Sequence, residues 1–253
     1  MEAAQQGDAL VTSCFAERFG DFIEITPTER QALARLEERT RPLKRGAVLI
    51  RENDSQGELF ILTRGTAMTY VLLDDGSRQI LRFLFPGDMI GFSSLVYVRS
   101  AETIAAVSDC VVAAFDRQLL TRIISDHPRL SALIMTMNQL ERIALLDRLV
   151  ALGRTSAKAR VAAILLEIRD SRAVADGWSA NSFLLGLTQE EIGDATGLTA
   201  VHVNRMLRQL DEEGLIARDN GRVTLVNEVA LTRLANYTNR FNGIDLNWLP
   251  PGR

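Results

Sequence analysis

Apolar residues change their spacing along this chain, and each spacing predicts a different element. Between Leu43 and Phe115 they come in short runs: Ala47 to Ile50, Leu59 to Leu62, Met68 to Leu73, Ile80 to Phe85, Thr103 to Val107 and Val111 to Phe115. Glycine or Asp-Gly punctuation separates the runs, which predicts an antiparallel β-roll. Gly46, Gly57, Gly65, Gly76, Gly87 and Gly91 recur at roughly ten-residue intervals, where turns needing positive φ or close backbone approach are expected.

Elsewhere the spacing is helical. Thr26-Pro27-Thr28-Glu29 supplies a cap, a proline at the first helical position and a capping-box acid, with Leu33 and Leu36 as the apolar face. Asp116 caps a short helix through Ile124, and Asp126-His127-Pro128 separates it from a long helix reaching about Leu152. In the long helix Leu130, Leu133, Ile134, Met137, Leu140, Ile143, Ala144, Leu146, Leu149 and Val150 recur at threes and fours. That is more apolar surface than packing on one sheet face needs. Pairing with the same helix of a second chain would bury the surplus, and packing all of it within one chain is the alternative. A Ser156-capped helix (Ala157 to Ile168), a polar loop to Ser182 and a short strand (Phe183 to Leu187) follow. The tail after Tyr237, with Asn242-Gly243 and Pro250-Pro251-Gly252, is expected to be loosely held.

The next pattern carries the chemistry. Thr188-Gln189-Glu190-Glu191 is a capping box followed by Ile192 and Ala195, and Gly197 stops that helix. Thr199 caps a second helix whose core stripe is Val203, Met206, Leu207 and Leu210, ended by Gly214. Two helices joined by a short glycine turn have helix-turn-helix spacing. At about 100° per residue, Val201, Arg205 and Arg208 face away from the core stripe, with Asn204 and Gln209 on its flanks. Leu198 through Leu210 contains no acid, while Arg205, Arg208 and His202 are present. Arg205 suits a bidentate contact to a guanine edge, Asn204 an adenine and Val201 a thymine methyl. His202 and Arg208 suit phosphates or the rim, and Thr188, Thr199, Ala200 and Arg222 complete the expected DNA-facing set. Arg218 and Arg222 flank Asp219-Asn220-Gly221, a hairpin signal that predicts a wing. A packing or protein-interaction module is the bland alternative; the acid-free outward face and the adjoining wing favour DNA.

Composition narrows the rest. The 253 residues are 47% hydrophobic and 24% charged, as expected of a soluble globular chain of two domains. No run approaches a membrane span, and MEAAQQGDALVTSC is not of signal-peptide type, so the cytoplasm is expected. Net charge is −3, and residues 155–235 hold nine Lys/Arg against eleven Asp/Glu. Any DNA binding must therefore come from where charge is placed. Cys14 and Cys110 are too few for a disulfide framework or an iron-sulfur cluster, and residues 43–115 lack histidine, which argues against a cupin-type metalloenzyme. Neither histidine, His127 or His202, offers an evident haem ligand. No cofactor and no catalysis are expected.

From about residue 20 to 235 the sequence resembles the Crp/Fnr superfamily. Leu187 to Gly193, Gly197-Leu198-Thr199 and Val203-Asn204-Arg205 are similar to its DNA-reading unit, and Phe85-Pro86-Gly87-Asp88-Met89-Ile90-Gly91 to its β-roll signature. The resemblance implies an α+β fold. Residues 1–126 would form a cyclic-nucleotide-binding-like antiparallel β-roll (a double-stranded β-helix) and 127–153 a dimerisation helix. Residues 154–236 would form a winged helix-turn-helix and 237–253 a tail. It also implies a homodimer on paired promoter half-sites, acting with RNA polymerase as activator or repressor, with Arg205 in the family's guanine-contacting place. Family members commonly carry glutamate where Val201 stands, which implies a different half-site here.

The implied effector pocket is Gly91, Phe92, Ser93, Arg99 and Ser100. Arg99 could meet a cyclic phosphate, but Phe92 replaces the ribose-binding acid, and Leu145 and Leu146 replace the hydroxyl pair that meets the base. Losing such charge-assisted bonds is costly, so no cyclic-AMP dependence is expected and the effector is left open. A cyclic-nucleotide-responsive regulatory protein acting through a protein partner is the alternative.

Overall fold

The structure is a computed structural model that describes residues 13–252 except residue 21 and residues 177–180. Residues 1–12 of the expected first domain, and with them most of the segment read for a leader, lie outside the described residues, as does the middle of the polar loop before Ser182.

Alternating apolar runs fold into eight strands: β1 (Thr40–Leu43), β2 (Val48–Ile50), β3 (Glu58–Arg64), β4 (Ala67–Leu72), β5 (Arg78–Leu84), β6 (Met89–Ile90), β7 (Thr103–Ala106) and β8 (Cys110–Asp116). They form two antiparallel four-stranded sheets, ordered β1-β8-β3-β6 and β2-β7-β4-β5. Ile50, Phe60, Leu62, Leu84, Ile104 and Val112 fill the space between them. Five of the six punctuating glycines adopt positive φ; Gly57 does not, so its place in the spacing has another origin. Strands β1 and β6 were not expected, being an edge strand rich in polar residues and a two-residue pairing.

Two helices precede the roll. The unforeseen α1 (Cys14–Gly20) buries Phe15 and Phe19, whose rings meet edge to face at 4.7 Å. In α2 (Pro27–Ala34) the Thr26–Glu29 capping box forms as expected. Glu29 is buried and accepts from Arg129 at 2.5 Å, which ties α2 to the long helix.

After α3 (Arg117–Asp126), capped by Asp116, comes α4 (Pro128–Arg154), 27 residues and about 40 Å long. Its first turns are buried through Leu130, Leu133 and Ile134. Further on, Leu145, Leu146, Leu149 and Val150 are exposed, so the surplus apolar face is not absorbed within the chain. Helix α5 (Ala157–Asp176) runs past the expected Ile168. Buried Arg169 pairs with Asp170 at 2.5 Å and with Glu228 at 2.8 Å, while the Tyr237 hydroxyl donates to Asp170 at 2.9 Å. Burial, with the adjacent Asp170 charge, pushes the Tyr237 phenol well up, so it stays a donor.

The C-terminal part comprises β9 (Ser182–Leu184), α6 (Gln189–Thr196), α7 (Ala200–Glu212), β10 (Ile216–Asp219), β11 (Arg222–Leu225) and α8 (Glu228–Ala235). The expected strand to Leu187 ends at Leu184, ahead of a positive-φ turn at Gly186. Helix α8 is too short to declare itself by periodicity; Asn227 caps it. One apolar cluster joins Met68, Ile80, Phe83 and Phe85 of the roll to Leu165, Ile192 and Leu207.

The tail corrects its expectation. Phe241 stacks on Phe22 at 6.1 Å, Arg240 grips Asp147 at 2.6 and 2.7 Å, and Leu249 is buried in the N-terminal cluster with Phe15 and Leu33. A strap therefore leads from α8 back to the N-terminal helices. Among the described residues no helix is long and apolar enough to cross a membrane.

Candidate nucleic-acid interface

The reading unit is built by two caps and one close approach. Thr188 accepts from Glu191 N at 3.1 Å while Glu191 returns the bond to Thr188 N, fixing the start of α6. Gly197, at φ 66°, ends it in the left-handed region that glycine adopts without strain. Leu198 N donates to Gly193 O at 3.0 Å, and an added Cβ at Gly193 would collide with the Leu198 carbonyl. Gly193 is thus the residue that lets the turn close. A glycine inside a helix, about 1 kcal/mol less favourable than alanine, is the signal that could have marked it.

Thr199 Oγ1 accepts from His202 N at 3.3 Å and starts α7. Val203, Met206, Leu207 and Leu210 are buried against α5 and α6. The opposite side is open: Val201 is 82% exposed, and Arg205 and Arg208 are exposed. Ala200, His202 and Asn204 are half-buried on the flanks. Arg205 Nη2 lies 2.9 Å from His202 Nε2. No carboxylate is paired with Arg205 or Arg208 among the described residues. Thr188, at the start of α6, is exposed.

The wing forms as the Asn-Gly signal predicts. Asn220 and Gly221 both take positive φ, 46° and 79°, between β10 and β11. That twist matches the flanking strands. Strand β9 pairs with β11 as a third strand. Arg222 donates to Ser182 O at 3.0 Å and Arg218 reaches Asp211 at 3.3 Å, so both side chains are tethered within the chain. Helix α6 is also held from the roll: Arg78 pairs with Asp194 at 2.6 Å and Gln79 donates to the Asp194 carbonyl at 2.8 Å. Neither contact is legible in sequence, since the partners stand more than a hundred residues apart.

The residues of the pocket implied in the roll lie between β6 and β7. Gly91 is buried at φ 86° and opens a short 3-10 turn, Phe92–Leu95. Arg99 is exposed and donates to Asn53 O at 2.8 Å; the buried Ser100 hydroxyl donates to Glu102 O at 2.7 Å. The Ser93 hydroxyl is shielded without a partner. Arg99 and Ser100 are thus each engaged by a backbone carbonyl of the roll. Cys14 is pushed up to about 11 by burial and by the charges of Glu37 and Glu17. Burial also raises Cys110. Among the described residues no group of three or more His, Cys, Asp or Glu could hold a metal ion.

The cyclic nucleotide-binding domain family matches residues 40–127, and the Crp-like helix-turn-helix domain family matches residues 159–234. Over 214 residues the chain is 28% identical to the anaerobic regulatory protein of Pasteurella multocida, covering 85% of this chain and 78% of that one. It is also 28% identical over 216 residues to the transcriptional activator protein anr of Pseudomonas aeruginosa, covering 84% and 87%. Among solved structures, FixK2 from Bradyrhizobium japonicum superposes with a TM-score of 0.69 at 28% identity, over 77% of this chain and 96% of that one. A CRP-family transcriptional regulator from Thermus thermophilus gives 0.60 at 26% identity, over 78% and 97%.

Proposed function

From the premise that this chain belongs to the Crp/Fnr family and is a DNA-binding regulator of that type, we propose that it reads two-fold related promoter sites as a homodimer. The observation that carries the reading is the two-sided character of α7. One side is sealed by Val203, Met206, Leu207 and Leu210, while the other presents Val201, Arg205 and Arg208 without an acid.

Arg205 binds a guanine edge through two parallel N–H donors, Asn204 an adenine, and Val201 a thymine methyl. His202, Arg208 and Arg222 meet phosphates, together with Thr188, Thr199 and Ala200 at the two helix starts, where unsatisfied N–H groups favour anions. The exposed stripe of α4 pairs with its copy, which sets two α7 helices about 34 Å apart along the duplex. Residues 1–126, 127–153, 154–236 and 237–253 act as roll, dimer helix, DNA-binding unit and strap. RNA polymerase is the partner at the promoter. The chain acts by binding DNA and needs no catalysis, iron-sulfur cluster or cyclic AMP. Arg99 and Ser100, engaged with Asn53 O and Glu102 O, support the last point.

Selection of bound fragments from random duplexes by the purified protein tests this reading. A palindromic motif with half-sites one helical turn apart is expected. Recovery of no motif at moderate salt would sink it.

A further inference from the structure

A cavity of about 520 Å³ lies between the β5–β6 turn of the roll, α4, α5 and the strap after α8. It borders the loop of the implied effector pocket only through Phe92: Gly91, Ser93, Arg99 and Ser100 do not line it. Its walls are partly aromatic, with Phe15, Phe85, Phe92 and Phe241, and its volume falls within the ~300–1,000 Å³ of small-molecule sites.

The charges on those walls do not balance. Asp88 takes Arg18 at 2.8 Å and Arg82 at 3.5 Å, and Glu141 takes Arg82 as well. Glu167 takes Arg148 at 2.6 Å, and Asp147 takes Arg240 at 2.6 Å. Every carboxylate of the cavity is thereby occupied, while Arg160 and Arg233 line it without a carboxylate partner among the described residues. Arg160 is half-buried and its Nε is shielded from solvent with no hydrogen-bond partner. Arg18, 6% exposed, lines the same cavity with its charge taken by Asp88. A half-buried guanidinium without a counter-ion keeps N–H donors that the protein leaves unpaired, and an anion in the cavity supplies charge-assisted acceptors to the terminal nitrogens.

We propose that this cavity is a binding site for an organic anion with an apolar, aromatic-sized body, its charged group on Arg160 and its body against Phe85 and Phe241. The walls belong to the roll, to the long helix and to the DNA-binding part, so occupancy adds contacts across all of them. That coupling rests on the proposed DNA role; the binding itself does not.

The test uses the full chain and 8-anilino-1-naphthalenesulfonate, an aromatic anion whose fluorescence rises on transfer to an apolar site. N-phenyl-1-naphthylamine is its uncharged counterpart. Saturable binding of one sulfonate per chain is expected. Arg160→Gln should weaken it by about tenfold or more, as expected for loss of one charge-assisted bond, with little change for the uncharged probe. Ala163→Phe, which fills the cavity, should weaken both probes, and Ala144→Phe at its α4 wall serves if that variant does not fold. An equal affinity of Arg160→Gln for the sulfonate, or a signal that never saturates, overturns the proposal. Since no DNA is present, a failed DNA reading leaves this result standing.

Discussion

The guanidinium of Arg205 rests 2.9 Å from Nε2 of His202, one turn earlier on α7. Arginine can only donate, so this hydrogen bond is made with His202 accepting through Nε2. The contact holds a long, otherwise free side chain over the N-terminal turn of α7. Arg205→Ala is expected to cost roughly 1–3 kcal/mol of specific affinity and to relax selectivity at one base pair. His202→Ala should cost about 1 kcal/mol or less by freeing the arginine. Fluorescence anisotropy with matched and single-substituted duplexes measures both. Unaltered selectivity in the Arg205 variant would count against the assigned role.

The α4 stripe makes a separate claim. Leu149 is 67% exposed in the single chain, and burying a leucine is worth about 1.5–3 kcal/mol. In the proposed homodimer this stripe meets its copy across a two-fold axis, so Leu149→Asp should lower dimer affinity by about a hundredfold or more while leaving the roll folded. Sedimentation velocity across a concentration series reads the outcome. A dimer as tight as wild type would place the interface elsewhere.

Acid behaviour follows from Glu102. Burial raises its carboxyl above the ordinary 4.5, against the opposing pull of Arg82. The folded chain therefore prefers the protonated acid. The resulting destabilisation is absent below the unfolded value, grows as pH rises through the raised folded value, and is complete above it. Glu102→Gln should then raise Tm at neutral pH, with the gain vanishing below about pH 4. Calorimetry at both ends decides; a gain independent of pH would assign the effect to packing.

The strap is testable by truncation. Ending the chain at Tyr237 keeps the Tyr237–Asp170 bond and removes the Phe241 stack, the Arg240–Asp147 pair and the buried Leu249. A loss of about 2 kcal/mol is expected, after the ordering cost of the removed segment is credited back. That corresponds to roughly 4–8 °C in Tm for a chain of this size. An unchanged melting curve would mean that these contacts contribute nothing net.

The reading helix was legible from sequence because its information is local. Thr188, Gly197 and Thr199 set the caps, and a 3.6-residue period put Val203 and Leu207 inside and Val201 and Arg205 outside before any tertiary contact was known. The roll was legible for the same reason, strand by strand, from its apolar runs and positive-φ glycines. Helices α1 and α8, the docking of the tail, and the grip of Arg78 on Asp194 were not legible. The two helices, seven and eight residues long, are too short to show a period, and packing rather than propensity stabilises them. The tail and the ion pair depend on which distant surfaces face one another. A solvated arginine and one paired 2.6 Å from a carboxylate have the same sequence, and only the assembled chain removes the water that distinguishes them. Local periodicity and capping thus determined the elements and their faces; the tertiary structure alone decided their neighbours, because burial is a property of the packed whole.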